Sequence, residues 1–365
     1  NRYLGLLAEL YMMTNNKLKA LEIYTKMLEK EPNSALVHIS LADYYETIGL
    51  HDKSFFHVNK SFESDELDID TKMKILLTYY DISDVDTLMR GQVIELAKTL
   101  IRIHPDDPKS YSIMGDLLYR DKQLTEAKDM FMKVISLDSS RFVVWEQVMI
   151  IHLELYDFAG LESVSSSAIA LFPNQPLSYL LNGIANTRTG NYEKAVSKLK
   201  QGKDLVFLNN NMLFEFWSNL GEAHYKNKAY KESDKAFDKS LKIKPDNSLI
   251  LNNYSYYLSL RGDSLEKARK MAKKAVELVP GTSSYLDTYG WVLYKLGEFD
   301  EAKIWIEKAI ESNGSKNPVI LEHYGDILFK LNQKEEAYEY WEKARTEGEG
   351  STFLEEKIKT KTLVE

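Results

Sequence analysis

The sequence predicts an all-α solenoid of about ten helix–turn–helix units. Three observations predict it: prolines spaced by multiples of about 34 residues, small residues at two fixed positions of each resulting block, and glycines in the turns between the halves of the blocks. Five of the eight prolines set the frame, Pro32, Pro105, Pro173, Pro245 and Pro280, with gaps of 73, 68, 72 and 35. The second gap is twice 34, the last is 34 plus one, and the other two are twice 34 with a few residues inserted. A fixed period of this size is the signature of a stacked helical repeat.

With each proline set at position 32, blocks start at residues 1, 35, 108, 142, 176, 214, 248, 283 and 318, and an irregular block fills 68–107. Position 8 then reads Ala8, Ala42, Gly115, Met149, Gly183, Gly221, Ser255, Gly290 and Gly325. Position 20 reads Ala20, Ser54, Ala127, Leu161, Ala195, Ser233, Ala268, Ala302 and Ala337, with a one-residue slip before Ala268. Small residues at both positions let two helix backbones approach. Large residues at positions 4, 7, 11 and 24, such as Trp217, Leu220, His224 and Phe237, fill the space around that contact. The two large exceptions, Met149 and Leu161, fall in one block and are expected to compensate each other. Gly49, Gly190, Gly262 and Gly297 end the first helix of their blocks, and the proline closes the second, because it cannot continue a helix.

Within this frame the organisation runs as follows. Residues 1–67 hold blocks 1 and 2. Residues 68–107 hold the irregular unit, with helices expected at Thr71–Tyr80 and Val93–Ile103 and an inserted loop at 81–92. Residues 108–205 hold blocks 4 to 6, 206–213 (VFLNNNML) are an insertion, and 214–344 hold blocks 7 to 10, with a short insertion SNGSKN at 312–317. Residues 345–365 form a C-terminal cap and tail, with FLEEKIKT as a polar capping helix.

WSNLGEAHY, followed by a small residue at position 20, Phe237 and Pro245, resembles the tetratricopeptide signature W-x2-L-G-x2-Y…A-x3-F…P. YLDTYGWVLYKLGEFDEA at 285–302 carries a similar pattern. The resemblance covers about nine tenths of the chain and is to the bacterial multi-repeat type. It implies a right-handed superhelical solenoid of about ten TPR units, with the first helix of each unit lining a concave groove.

The groove positions implied by the resemblance carry Asn219, Glu222 and Tyr225 in block 7 and Asn252, Asn253 and Tyr256 in block 8. In blocks 9 and 10 they carry Asp287, Trp291, Tyr294, Glu322, His323 and Asp326. Asparagine both donates and accepts, which suits a peptide backbone, and rigid aromatic rings supply contact area at low entropic cost. This wall is acidic and aromatic, so it suits a neutral or basic ligand. The Lys/Arg carboxylate clamp of chaperone-tail binders in the family is absent at Leu249, Asn252, Asn253, Ser284, Asp287 and Thr288. In blocks 5 and 6 the same positions are apolar: Val143, Ile150, Leu177, Leu180, Leu181 and Ile184. An exposed strip of that kind is costly, so a partner or the superhelix itself is expected to cover it.

Catalysis is not expected. The chain has no cysteine, which excludes disulfides, thiolate metal sites and cysteine nucleophiles. The seven histidines are scattered, His152 and His224 at a packing position, and no phosphate loop or nucleophile elbow is present. No metal and no cofactor are expected. The net charge of −8 argues against nucleic acid as the main partner, since phosphate binding needs a positive field. The most apolar stretch, 142–155, is interrupted by Glu146, Gln147, His152 and Glu154, so no membrane span is expected. The chain starts at Asn1 and block 1 has no cap, so upstream sequence carrying an anchor is expected.

The expectation is therefore a protein-interaction scaffold or adaptor, working through its concave face and inserted loops. The resemblance places it in a larger bacterial envelope assembly, peripheral to the membrane on the periplasmic side, with the cytoplasm as the alternative. Two other functions stay open: a groove that captures an extended peptide, and the substrate-recruiting arm of an enzyme whose catalytic domain lies upstream.

Overall fold

The structure, a computed structural model, describes residues 2–82 and 87–364. Its described residues form helices and turns without strands, and they divide into two compact units, 1–172 and 173–365. The N-terminal unit contains α1 (Arg2–Met13), α2 (Lys17–Lys30), α3 (Ala35–Thr47), α4 (His51–Glu63), α5 (Ile69–Ile82), α6 (Thr87–Ile103), α7 (Pro108–Arg120), α8 (Leu124–Leu137), α9 (Phe142–Glu154) and α10 (Phe158–Leu171). The C-terminal unit contains α11 (Pro176–Arg188), α12 (Tyr192–Asp204), α13 (Asn210–Lys226), α14 (Tyr230–Ile243), α15 (Ser248–Arg261) and α16 (Leu265–Leu278). It continues with α17 (Ser283–Lys295), α18 (Phe299–Glu311), α19 (Pro318–Lys330), α20 (Lys334–Glu347) and α21 (Leu354–Thr360). Each odd-numbered helix up to α19 forms a hairpin with the helix that follows it.

The boundaries follow from local chemistry. α2, α6, α10, α14 and α16 each stop two residues before a framing proline. Gly49, Gly190, Gly262 and Gly297 take φ between +64° and +85°, the left-handed conformation that lets the chain leave one helix and enter the next. Pro108 opens α7, where its missing N–H costs nothing, and Asp107 caps the same end by accepting from the Lys109 N–H at 2.9 Å.

The small residues at position 8 face the large residue sixteen positions later. A Cβ on Gly221 would lie 2.7 Å from Phe237, and one on Gly325 would lie 2.5 Å from Trp341. Gly115 meets Phe131, Gly183 meets Leu199 and Gly290 meets Ile306 in the same register. In the exceptional block the volumes are exchanged. Met149 and Leu161 are fully buried, and the residue sixteen after Met149 is Ser165, also fully buried. At this pair of positions the large residue comes first and the small one sixteen later, the reverse of the other blocks.

The insertions differ from the expectation in a consistent way: helix takes up half or more of each. α6 starts at Thr87 rather than Val93, so much of the expected 81–92 loop is helical, and residues 83–86 of it lie outside the described residues. α13 starts at Asn210, where Asn209 Oδ1 accepts from the Met212 N–H at 3.0 Å, so only 205–209 remain as loop. Residues 314–316 of the third insertion form a single 3-10 turn, and Asn317 then caps α19. The cap helix α21 is less polar in effect than its sequence suggests: Leu354, Lys357 and Ile358 are buried.

Candidate functional site

The wall expected from blocks 8 to 10 comes together in the C-terminal unit, and it is occupied by the chain itself. α15, α17 and α19 present Tyr256, Trp291, His323 and Asp326 to a cavity of about 300 Å3, with Glu322 and Lys357 also lining it. Trp291 stacks on His323 (ring centroids 3.9 Å apart) and on Tyr294 (4.6 Å), so the aromatic column runs from α17 into α19. His323 Nδ1 donates to Asp287 Oδ1 at 2.8 Å, which fixes the imidazole in that column. Trp291 and Tyr294 are thus buried in ring contacts rather than open to solvent.

Lys357 of α21 is the centre of the site. Its side chain is 4% exposed, and its Nζ lies 2.8 Å from Glu322 Oε1 and 2.7 Å from Asp326 Oδ2. The Ser351 N–H donates to Glu322 Oε2 at 2.6 Å and its hydroxyl to Glu322 Oε1, while Trp341 Nε1 donates to Asp326 Oδ1 at 2.9 Å. Two carboxylates share one ammonium, and their titrations separate. Burial acts to raise both. For Glu322 the hydrogen bonds from Lys357 and Ser351 outweigh it and hold the carboxyl below the usual range. For Asp326 burial wins over Lys357 and raises it to about 6. Burial also raises the Tyr256 phenol to about 12. The indole N–H of Trp291 is buried without a hydrogen-bond partner among the described residues.

The other expected residues sit apart from this pocket. Glu222 pairs with Arg188 at 2.8 Å, Tyr225 stacks on Tyr257 at 3.9 Å, and the Asn219 amide donates to the Glu215 carbonyl at 2.8 Å. Asn252 is buried and donates to Asn253 Oδ1 at 3.3 Å. Of the apolar six, Val143 is exposed and Ile150 half-buried in the N-terminal unit. In the C-terminal unit Leu177 and Ile184 are half-buried, whereas Leu180 and Leu181 are 7% and 4% exposed. Of the two covers expected for this strip, the fold of the chain itself covers Leu180 and Leu181.

Sequence reasoning missed Lys357, Ser351 and Gly350, where a Cβ would lie 2.6 Å from Glu322 Oε2. The available signal was Glu322 and Asp326 themselves: two acids one turn apart on a core-facing helix require a cation, and Lys357 shares a helix face with Leu354 and Ile358. Among the described residues no helix is long and apolar enough to cross a membrane.

Comparison with known proteins agrees with the repeat frame. A tetratricopeptide-repeat family model matches residues 214–247, and a second model of the same repeat matches 108–141 and 283–316. These are three of the blocks set by the prolines. No curated protein sequence matches the chain. Among solved structures, the chain is similar to one in the APC/C heterotetramer Cut9–Hcn1, at 13% identity and a TM-score of 0.56 over 99% of this chain and 76% of that one. It is also similar to a tetratricopeptide repeat protein from Parabacteroides merdae ATCC 43184, at 14% identity and a TM-score of 0.46, over 80% of this chain and 99% of that one.

Proposed function

Because the chain is a tetratricopeptide-repeat protein, we propose that it is a non-catalytic scaffold that holds partner proteins, with the 206–213 insertion as a principal contact. The observation that carries this reading is a pair of exposed apolar side chains in that insertion. Phe207 is 85% and Leu208 90% exposed, adjacent on the loop before α13. Leu208 also holds φ at +55°, a conformation disfavoured for a residue with a Cβ. Neighbouring large apolar side chains held out in solvent are the anchor type found at the centre of protein interfaces. The groove, by contrast, is closed where Lys357 is seated. The resemblance to bacterial multi-repeat arrays supports a place for the scaffold in an envelope-associated assembly, on the periplasmic side.

The test is the double variant Phe207→Ser/Leu208→Ser in affinity purification from native membranes. Both side chains are solvated, so folding stability is expected to change by less than about 0.5 kcal/mol. Capture of the partner that co-purifies stoichiometrically with the wild type is expected to fall at least tenfold. Undiminished capture by the folded variant contradicts the reading.

A second surface has its own observation. Tyr3, Leu6, Leu10 and Met13 are exposed along one face of α1 at helical spacing. If capture survives the loop variant, this stripe is the next contact to test, by Leu6→Lys/Leu10→Lys.

A further inference from the structure

The acidic pocket on α19 is more than a helix cap requires. A capping helix needs to cover apolar surface, and Leu354 and Ile358 do so. Burying Glu322 and Asp326 adds a desolvation cost that apolar residues of similar size would avoid. The equivalent positions of α11 carry Leu180 and Ile184, which shows that the repeat frame accepts apolar residues there. What the acids add is selectivity for a cation: the pocket accepts an ammonium through three carboxylate oxygens, between 2.7 and 2.8 Å away.

The resident ligand is a short segment. α21 has seven residues, too few to be a stable helix alone. Glu355, Glu356, Lys359 and Thr360 are exposed. The segment joining it to α20 contains Gly348 and Gly350, the first at φ +153°. Nor does α21 fill the site. The cavity of about 300 Å3 remains beside Lys357, lined by Tyr256, Trp291 and His323, and the buried Trp291 N–H is unused.

We propose that this pocket is a docking site for a lysine-centred amphipathic helix of a partner protein, and that α21 is the resident segment which that helix replaces. The partner segment carries a lysine for Glu322 and Asp326, an apolar residue three positions before it and another one position after it, as in Leu354, Lys357 and Ile358. It also brings a side chain into the cavity and a hydrogen-bond acceptor to Trp291. Charge complementarity fixes the sign of the ligand: an acidic or phosphorylated segment would face two buried carboxylates. This site is separate from the loop contact proposed above and stands if that contact fails.

The experiment uses the full chain and a labelled peptide of its own residues 350–365 as the probe, read by fluorescence anisotropy. In Lys357→Glu a third carboxylate enters the pocket and releases α21, so the probe is expected to bind at least tenfold tighter than to the wild type. A probe carrying the same Lys357→Glu change is expected to show no binding. If Lys357→Glu fails to fold, Leu354→Ser/Ile358→Ser keeps every charge and loosens only the apolar seat, and the same gain is expected. In the wild type, hydrogen exchange is expected to be faster in α21 than in α19 and α20. The proposal is overturned if folded variants bind the probe no better than the wild type, or if α21 is protected as strongly as α19. A dimer formed by exchange of α21 between wild-type and variant chains would give the site to a second copy and overturn the partner assignment.

Discussion

The two units use the same hairpin frame but bury different polar groups. In the N-terminal unit, α3 and α4 bring together a buried histidine, His38, and a half-buried one, His57. His38 Nδ1 lies 2.8 Å from His57 Nδ1, and His38 Nε2 donates to the Pro32 carbonyl at 3.0 Å. Burial lowers both, His57 to about 4, and His38 adds to the lowering of His57. In the C-terminal unit, α19 and α21 bury charge: one ammonium against two carboxylates. The two solutions differ in how much charge they take out of water. A neutral pair satisfied by each other and by a neighbouring backbone carbonyl is a core solution. A buried charge cluster that sets two acids against one lysine, next to an unfilled cavity, is the feature from which the docking proposal starts.

The largest effects should come from the core that both units share in kind. Phe62 and Phe237 are fully buried. Phe62→Ala and Phe237→Ala should each cost about 3–5 kcal/mol, and local hydrogen exchange should show the loss within the substituted unit, as expected when stability is a sum of neighbour contacts. Equal loss of protection in both units from either change would break the comparison.

The exchanged volumes of the exceptional block give the next effect. Ser165→Phe alone should destabilise the N-terminal unit by about 1–3 kcal/mol, because Met149 already fills the space. Met149→Gly/Ser165→Phe, which restores the pattern of the other blocks, should recover most of that loss in a denaturant melt. A double variant as unstable as the single one would show that the register of sixteen does not govern the block.

The smallest and most diagnostic effect is the response to pH. His38 and His57 are lowered in the fold, so the unfolded chain binds more protons below its histidine pKa. The histidine contribution is lost as pH falls from about 6.5 towards about 4. Asp326 is raised to about 6, so the folded chain holds the extra proton. Its contribution is present below the unfolded carboxylate pKa of about 3.9 and is lost as pH rises through about 6. Between about pH 4.5 and 6, acidification should therefore weaken α3–α4 and strengthen α19–α21. His57→Leu should flatten the first response and Asp326→Asn the second, each read by hydrogen exchange corrected for the intrinsic pH dependence of amide exchange. Lys60, Glu63 and Glu66 also act on His38, so a flat profile in wild type would show that they cancel the burial of the pair.

Much of the fold was legible because the repeat writes each contact many times. Position 8 faces a large residue in hairpin after hairpin, so Gly221 and Phe237 could be paired by spacing alone. Insertions were legible as extra length but not as structure, since Thr87–Gln92 and Asn210–Leu213 extend helices without departing from the polar and apolar mix of a loop. The site was legible as a wall of residues: Tyr256, Trp291, His323 and Asp326 do line one cavity. Its state was not, because the residue that closes it, Lys357, lies beyond the last repeat, where no period fixes its position. Leu180 and Leu181 show the converse limit: a helical stripe is apolar whether it meets solvent or core.

On the proposed function, the C-terminal unit holds the partner. Cross-linking mass spectrometry of the wild-type chain, taken with its partner from native membranes, tests it most directly. Lys203 and Lys244, whose ammonium groups lie over Trp217 and Phe214 beside the insertion, should carry the partner cross-links. Partner cross-links confined to lysines of the N-terminal unit, such as Lys17 and Lys19, would contradict it.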